Sequence, residues 1–79
     1  MNIKQEFIDA VFMGREIEFS YCGQHYFESR RAETDWYIYC EEEKYTQHFS
    51  SPQGLIKNTM LQKVNINEIW EHIIIDCIL

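Results

Sequence analysis

The sequence has 79 residues, of which 46% are hydrophobic and 15% aromatic, so it can build one core but has no room for a second domain. Seven basic residues against thirteen acidic ones give a formal net charge of -6. This balance disfavours nucleic-acid binding, because affinity for phosphate backbones comes largely from Lys and Arg. We therefore expect residues 1–79 to form a single acidic α+β domain with no nucleic-acid partner.

The first segment has the apolar spacing of an amphipathic helix. The residues that share this spacing are Ile3, Phe7, Ala10 and Val11. Asn2 is placed to cap the start of the helix, and Gly14 is placed to end it. The spacing predicts a helix over residues 3–13.

The next segment changes to the two-residue period of β-strands. Residues 15–21 alternate polar and apolar side chains, and residues 22–24 form a turn that returns the chain as a second strand over 25–32. Residues 36–40 carry aromatic and β-branched side chains on both faces, which predicts the middle strand of the sheet. A charged loop over 41–44 and a strand over 45–49 complete a predicted antiparallel meander of three to four strands.

The C-terminal third contains two helix-start signals. Ser51 before Pro52 begins a short helix that runs through Lys57, and Asn65 or Asn67 can cap another one. Residues 73–79 fit helical spacing, whereas their density of isoleucine favours a strand. We expect a short helix and then a strand, with the C-terminal helical segments on one sheet face. The predicted core consists of Phe7, Val11, Ile17, Phe19, Trp36, Ile38, Leu55, Ile69, Trp70 and Ile73.

Two of the three cysteines and two of the three histidines are the candidates for chemistry. Cys22 and His25 have C-x2-H spacing, while Cys40 and His48 are separated by seven residues that include the charged loop. Four such side chains are a possible zinc set, or a cysteine-dependent catalytic set, if they converge. Structural zinc sites usually present closely spaced pairs, so we expect turn and strand residues here, with no cofactor, no metal and no enzyme.

Cysteine number and apolar run length predict the setting of the protein. An odd number of cysteines without paired spacing does not suit a secreted disulfide framework, so we expect reduced thiols in the cytoplasm. The longest run of purely apolar side chains, residues 10–13, is far shorter than the roughly 18 to 20 residues that cross a bilayer. We expect neither a signal peptide nor contact with a membrane.

Tyrosines on the predicted sheet are the candidate binding residues. A sheet this small has one helix-covered face, and tyrosine is enriched at protein interfaces. Cross-strand pairs that stabilise the sheet are the structural interpretation of the same residues. The functional interpretation is a face for another protein or a second copy of the chain, formed by Tyr37, Tyr39, Tyr26 and Arg30.

Three segments resemble those of small bacterial proteins of unknown function. They are residues 14–23, the strand at 36–39 and Glu68-Ile69-Trp70. The resemblance spans most of the chain and implies a helix, antiparallel strands, a C-terminal helix and a cytoplasmic setting. It implies no activity and no site residue.

Overall fold

The computed structural model describes residues 2–79, which form an α+β fold around one five-stranded antiparallel sheet. The strands of this sheet are β1 (Ile17–Tyr21), β2 (Gln24–Ala32), β3 (Asp35–Cys40), β4 (Tyr45–Phe49) and a C-terminal strand, in the spatial order β4-β3-β2-β1 followed by that strand. In this part of the chain, no helix has the length and apolar character needed to cross a membrane.

Helix α1 (Ile3–Phe12) begins and ends where its capping residues predict. The Asn2 side-chain oxygen accepts a hydrogen bond from the backbone N–H of Gln5 at 3.2 Å. Gly14 has φ +74°, a left-handed conformation that glycine adopts without steric cost and that commonly ends helices. The backbone N–H of Arg15 then donates to the carbonyl of Ala10, which leads the chain directly into β1.

The first four strands form the predicted meander. Cys22 and Gly23 make the two-residue connection between β1 and β2, with φ +47° and +80°. Positive φ at both central residues gives a turn whose twist matches that of the flanking strands. The turn between β2 and β3 is also two residues long, because Asp35 already pairs with Ala32.

The position of β3 as the middle strand was predicted wrongly. The C-terminal segment Ile74–Ile78 is a fifth strand that pairs antiparallel with β1. This addition makes β2 the centre of the sheet and moves β3 one place towards the edge. The sequence gives little sign that β2 is the central strand, because Glu28 and Arg30 interrupt its apolar pattern.

Short elements connect the meander to the last strand. Helix α2 (Pro52–Asn58) is capped by the Ser51 hydroxyl, which accepts from the Gly54 N–H at 2.9 Å. A small hairpin of β5 (Met60–Leu61) and β6 (Val64–Asn65) follows, and it was not predicted. Two 3-10 turns, Ile66–Glu68 and Trp70–His72, then lead into the C-terminal strand, β7. A helical segment followed by a strand is therefore confirmed, with 3-10 rather than α-helical geometry.

The core lies on one side of the sheet, which we call the inner face. Rings of Phe7 from α1 and Phe19 from β1 meet edge to face at 5.1 Å, and Phe19 stacks on Tyr26 of β2 at 5.3 Å. Every predicted core residue is buried except Trp70, which is half-buried against Phe7. The predicted core list omitted five buried hydrophobic residues, which are Ala10, Tyr26, Cys40, Leu61 and Ile66.

Glu28 is an acidic residue inside this core. It points to the inner face between Ile17 and Ile38, its register neighbours on β1 and β3, and is only 1% exposed. Its Oε1 atom has no hydrogen-bond partner among the described residues. Burial, followed by repulsion from Glu16, raises the pKa of Glu28 to about 8. The side chain is therefore mostly neutral at pH 7.

This buried carboxyl predicts that the protein loses stability as the pH rises. In the unfolded chain Glu28 ionises near its ordinary pKa of 4.5, whereas in the folded chain it keeps its proton up to about pH 8. Unfolding therefore releases a proton in this window, and the free energy of unfolding falls between about pH 4.5 and 8, by an amount on the order of a few kcal/mol.

Urea denaturation at several pH values measures this effect. Glu28→Gln keeps the shape of the neutral carboxyl group. We expect it to reduce the slope of the free energy of unfolding against pH and to raise stability at pH 8. Glu18→Gln on the exposed side of β1 is the matched control and should keep the wild-type slope. Equal slopes for wild type and Glu28→Gln would show that Glu28 is ionised in the folded protein.

Candidate functional site

The candidate site is the side of the sheet that points away from the helices, which we call the outer face. Strand register assigns its members, because side chains alternate between the two sides and directly paired residues share a side. Both helices, the small hairpin and the 3-10 turns contribute residues to the inner core, so no described element covers the outer face. Its residues on the first four strands are Glu18, Ser20, His25, Phe27, Ser29, Arg31, Asp35, Tyr37, Tyr39, Thr46 and His48, and Ile74 and Cys77 of β7 join them through their pairing with Ser20 and Glu18.

Tyr37 is the centre of an aromatic cluster on this face. Its ring centroid lies 6.5 Å from that of Phe27 on β2 and 6.3 Å from that of His48 on β4. The guanidinium carbon of Arg31 lies 5.3 Å from the Tyr37 ring centroid. Phe27, Tyr37 and Tyr39 are half-buried, so they pack against their neighbours and still present apolar surface to a partner.

Asp35 holds the polar members of the cluster in place. One carboxylate oxygen lies 2.9 Å from His48 Nδ1, and the other lies 3.9 Å from Arg31 Nε. The two side chains that flank Tyr37 are thereby tied to one carboxylate at the start of β3. Side chains ordered in advance lose less conformational entropy when a partner binds.

Glu42 makes a second carboxylate contact at the opposite end of the face. It accepts the backbone N–H of His25 at 2.7 Å, and its other oxygen lies 2.6 Å from His25 Nδ1. The hydrogen bond to His25 lowers the pKa of Glu42 to about 2, and the same contact raises the pKa of His25. The sequence predicts only a solvated loop for residues 41–44, because nothing in three consecutive glutamates indicates which of them meets His25.

A groove of about 270 Å³ opens next to this contact. Phe27 and Tyr39, which are direct cross-strand neighbours, form its aromatic wall. Acidic side chains from three separate segments border it, namely Glu18, Glu41 and Asp76. The sequence does not predict this groove, because Asp76 comes from β7, whose position beside β1 is set by a long-range pairing.

The four predicted binding residues divide between the two sides of the sheet. Tyr37 and Tyr39 lie on the outer face, as above. Tyr26 is buried on the inner face, where its hydroxyl donates to Gln24 Oε1 at 3.1 Å. Arg30 also lies on the inner side, with its guanidinium carbon 4.7 Å from the centroid of the Trp36 ring. One surface therefore does not contain all four.

The four metal or nucleophile candidates are likewise separated. Cys22 is exposed in the turn after β1, and His25 is paired with Glu42. Cys40 is buried on the inner face, whereas His48 lies on the outer face. Among residues 2–79 no group of three or more His, Cys, Asp or Glu side chains is arranged to hold a metal ion. The convergence that a zinc or cysteine site requires is not present in this arrangement.

A second cleft, of about 600 Å³, lies on the inner side between β4 and the small hairpin. Tyr26 and Cys40 both border it. The Cys40 thiol lies 3.5 Å from Gln24 Oε1, the atom that also accepts the Tyr26 hydroxyl. Cys40 and Tyr26 thus use their polar atoms within the fold, and Cys40 fills the core as a small side chain, as buried cysteines often do.

No protein-family model, no curated protein and no solved structure matches this chain.

The contact between His25 and Glu42 can be tested by titration. We expect Glu42→Gln to bring the pKa of His25 down towards the ordinary value for histidine, because the variant removes the negative partner while keeping the shape. Two-dimensional NMR of the histidine ring protons against pH gives this pKa directly. Glu43→Gln is the matched control on the same loop and should leave the His25 titration unchanged. An unchanged His25 pKa in Glu42→Gln would contradict the assigned pairing.

Proposed function

We propose that this protein is a non-enzymatic binding module that meets another protein through the outer face of its sheet. The observation that carries this proposal is the aromatic cluster around Tyr37 on a face that no described element covers. The cluster combines half-buried tyrosine and phenylalanine side chains with an exposed arginine, and these residue types are enriched at protein interfaces. Tyr37 and Tyr39 are the central contact residues.

A binding role fits the chemistry of this face better than catalysis does. His48 is paired with Asp35 and His25 with Glu42, which resembles the base and orienting group of a nucleophilic site. Such a site also needs a nucleophile hydrogen-bonded to the histidine. Among the described residues, no Ser, Thr or Cys side chain hydrogen-bonds to either histidine. The two pairs instead fix side-chain positions beside the aromatic rings.

Charge favours a different protein over a second copy as the partner. The chain carries a net charge of -6, and Glu18, Asp35 and Glu41 lie on or beside the outer face. Two such faces brought together would place carboxylates against each other. We further propose that the module acts in the cytoplasm, because its three cysteines are free and one of them, Cys22, is exposed.

The central test compares the outer face with a tyrosine elsewhere on the same sheet. The double variant Tyr37→Ser, Tyr39→Ser removes both rings from the outer face. Tyr45→Ser is the control, because Tyr45 is 60% exposed but points to the inner side of β4. Proteins captured from the native lysate by the wild type are identified and purified, and their Kd is measured against each variant.

We expect the double variant to weaken partner binding by about tenfold or more and Tyr45→Ser to leave it unchanged. Circular dichroism and thermal melting establish that both variants remain folded. The proposal fails if the wild type binds no protein specifically, or if the double variant and the control bind the partner equally well.

A further inference from the structure

Strand β7 is an edge strand with an apolar sequence. One of its sides pairs with β1, and its other side has no strand partner among the described residues. Four of its five residues are apolar, namely Ile74, Ile75, Cys77 and Ile78, and Ile74 is 61% exposed. Unpaired N–H and C=O groups on such an edge are a template for another strand. Beyond the strand, Leu79 is also exposed, which extends the apolar edge.

The opposite edge of the sheet differs in composition. Strand β4 carries the polar residues Thr46, Gln47 and His48 at its centre. The Gln47 side chain forms two hydrogen bonds to the backbone of Met60, donating to its carbonyl at 2.7 Å and accepting from its N–H at 2.9 Å. The small hairpin is thereby fixed beside β4. Of the two edges, only β7 combines apolar side chains with a free backbone.

The charged side chains of β7 and of the segment before it are acidic, and one cation from elsewhere, Arg15, reaches the end of the edge, where its Nε donates to the Leu79 carbonyl at 3.4 Å. Residues 64–79 contain Glu68, Glu71 and Asp76 but no Lys or Arg. Asp76 lies where the register between β7 and β1 shifts, and its exposed side chain borders the groove that Phe27 and Tyr39 line on the outer face. A cationic side chain arriving along β7 would meet a carboxylate and then an aromatic wall, which together favour ammonium and guanidinium groups.

Asp76 also works against pairing with a second copy. An antiparallel pair of β7 strands centred on Asp76 matches Ile74 with Ile78 but sets the two Asp76 residues directly opposite each other. Like charges at opposed positions destabilise strand pairing, and each chain adds a net charge of -6. The β7 edge therefore disfavours pairing with the β7 strand of a second copy and favours pairing with a basic strand.

We propose that β7 accepts an extended, basic segment of another protein as a sixth strand of the sheet, with a Lys or Arg side chain of that segment beside Asp76. This inference rests on the proposed function, because the added strand is the means by which the partner is held next to the outer face. Backbone hydrogen bonds along β7 provide the affinity, and Asp76 with the groove selects the basic residue.

Short peptides test this proposal with probes of defined chemistry. The first probe is a seven-residue peptide, blocked at both ends, that alternates threonine and valine around one central lysine. The second has glutamate in place of the lysine, and the third is the lysine peptide with a methylated backbone that cannot form strand hydrogen bonds. Binding to the 15N-labelled full chain is followed by NMR at about 20 mM salt, where exposed charges are weakly screened.

We expect the lysine peptide to shift the amide signals of residues 74–78 and to bind more tightly than the glutamate peptide. Asp76→Lys should reverse this preference, with affinity changes of about threefold to tenfold for each peptide. A gain of glutamate-peptide binding cannot arise from misfolding, so the reversal holds even if the variant is less stable. Glu33→Lys, which makes the same charge change in the turn between β2 and β3, should keep the wild-type preference.

Three results would overturn the inference. They are equal affinity for the lysine and glutamate peptides, binding of the methylated peptide as tight as that of its parent, and a wild-type dimer in sedimentation whose β7 amides are protected without peptide. If the peptide experiments fail but Tyr37 and Tyr39 are still required for partner capture, only the proposal of an added strand is wrong. If partner capture does not depend on Tyr37 and Tyr39 either, the proposed function is wrong as well.

Discussion

Burial on one side only is the constraint on which the rest of this structure depends. A chain of 79 residues with helices of ten and seven residues has enough apolar material to cover one face of a five-stranded sheet. The contact between Phe7 of α1 and Phe19 of β1 fixes which face that is. Because side chains alternate along each strand, this choice sends Tyr26 and Ile38 into the core and leaves Phe27, Tyr37 and Tyr39 outside.

The same constraint explains the unusual polar features. Glu28 belongs to the inner set of β2, so the strand cannot keep its register without burying a carboxyl group, which responds by keeping its proton. On the outer side, carboxylates remain in contact with water, and the hydrogen bond to His25 lowers the pKa of Glu42. Asp35 and Glu42 there order His48 and His25 around the aromatic residues. The pKa of a carboxyl group is thus raised by burial on the inner face, at Glu28, and lowered by hydrogen bonding on the outer side, at Glu42.

The final strand couples the ends of the chain. β7 pairs with β1, and beyond it the Leu79 N–H donates to the carbonyl of Glu16 at 2.8 Å. This pairing brings Asp76 to the border of the outer groove and leaves an apolar edge free. The proposed binding surfaces, the outer face and the β7 edge, therefore meet at one corner of the sheet, where a single partner can contact both.

Local signals predicted the elements whose boundaries depend on local chemistry. Asn2, Gly14 and Ser51 mark helix ends by hydrogen bonding or by backbone conformation, and the alternation of residues 17–21 marks a strand. The β5–β6 hairpin was missed because Gln62 and Lys63 occupy its turn with positive φ, whereas Asn and Gly are the usual residues there.

Non-local pairing accounts for the other differences. The position of β7 beside β1 depends on contacts between residues 54 to 61 positions apart, and no spacing within either segment encodes it. Unless the pairing of β7 with β1 is known, neither the central position of β2 nor the groove beside Asp76 can be derived. For the site, the sequence indicated Tyr37 and Tyr39, but assigning Tyr26 and Arg30 to the opposite side required the strand register.

Solvent exposure of the outer aromatic rings tests the central claim most directly. NMR relaxation of ring and methyl protons in the presence of a soluble gadolinium chelate measures how closely solvent approaches each side chain. In the monomeric chain, we expect strong enhancement at Phe27, Tyr37 and Tyr39, and little at Phe19 and Ile38. Equal protection of the two sets would mean that the outer face is covered, which would contradict burial on one side only.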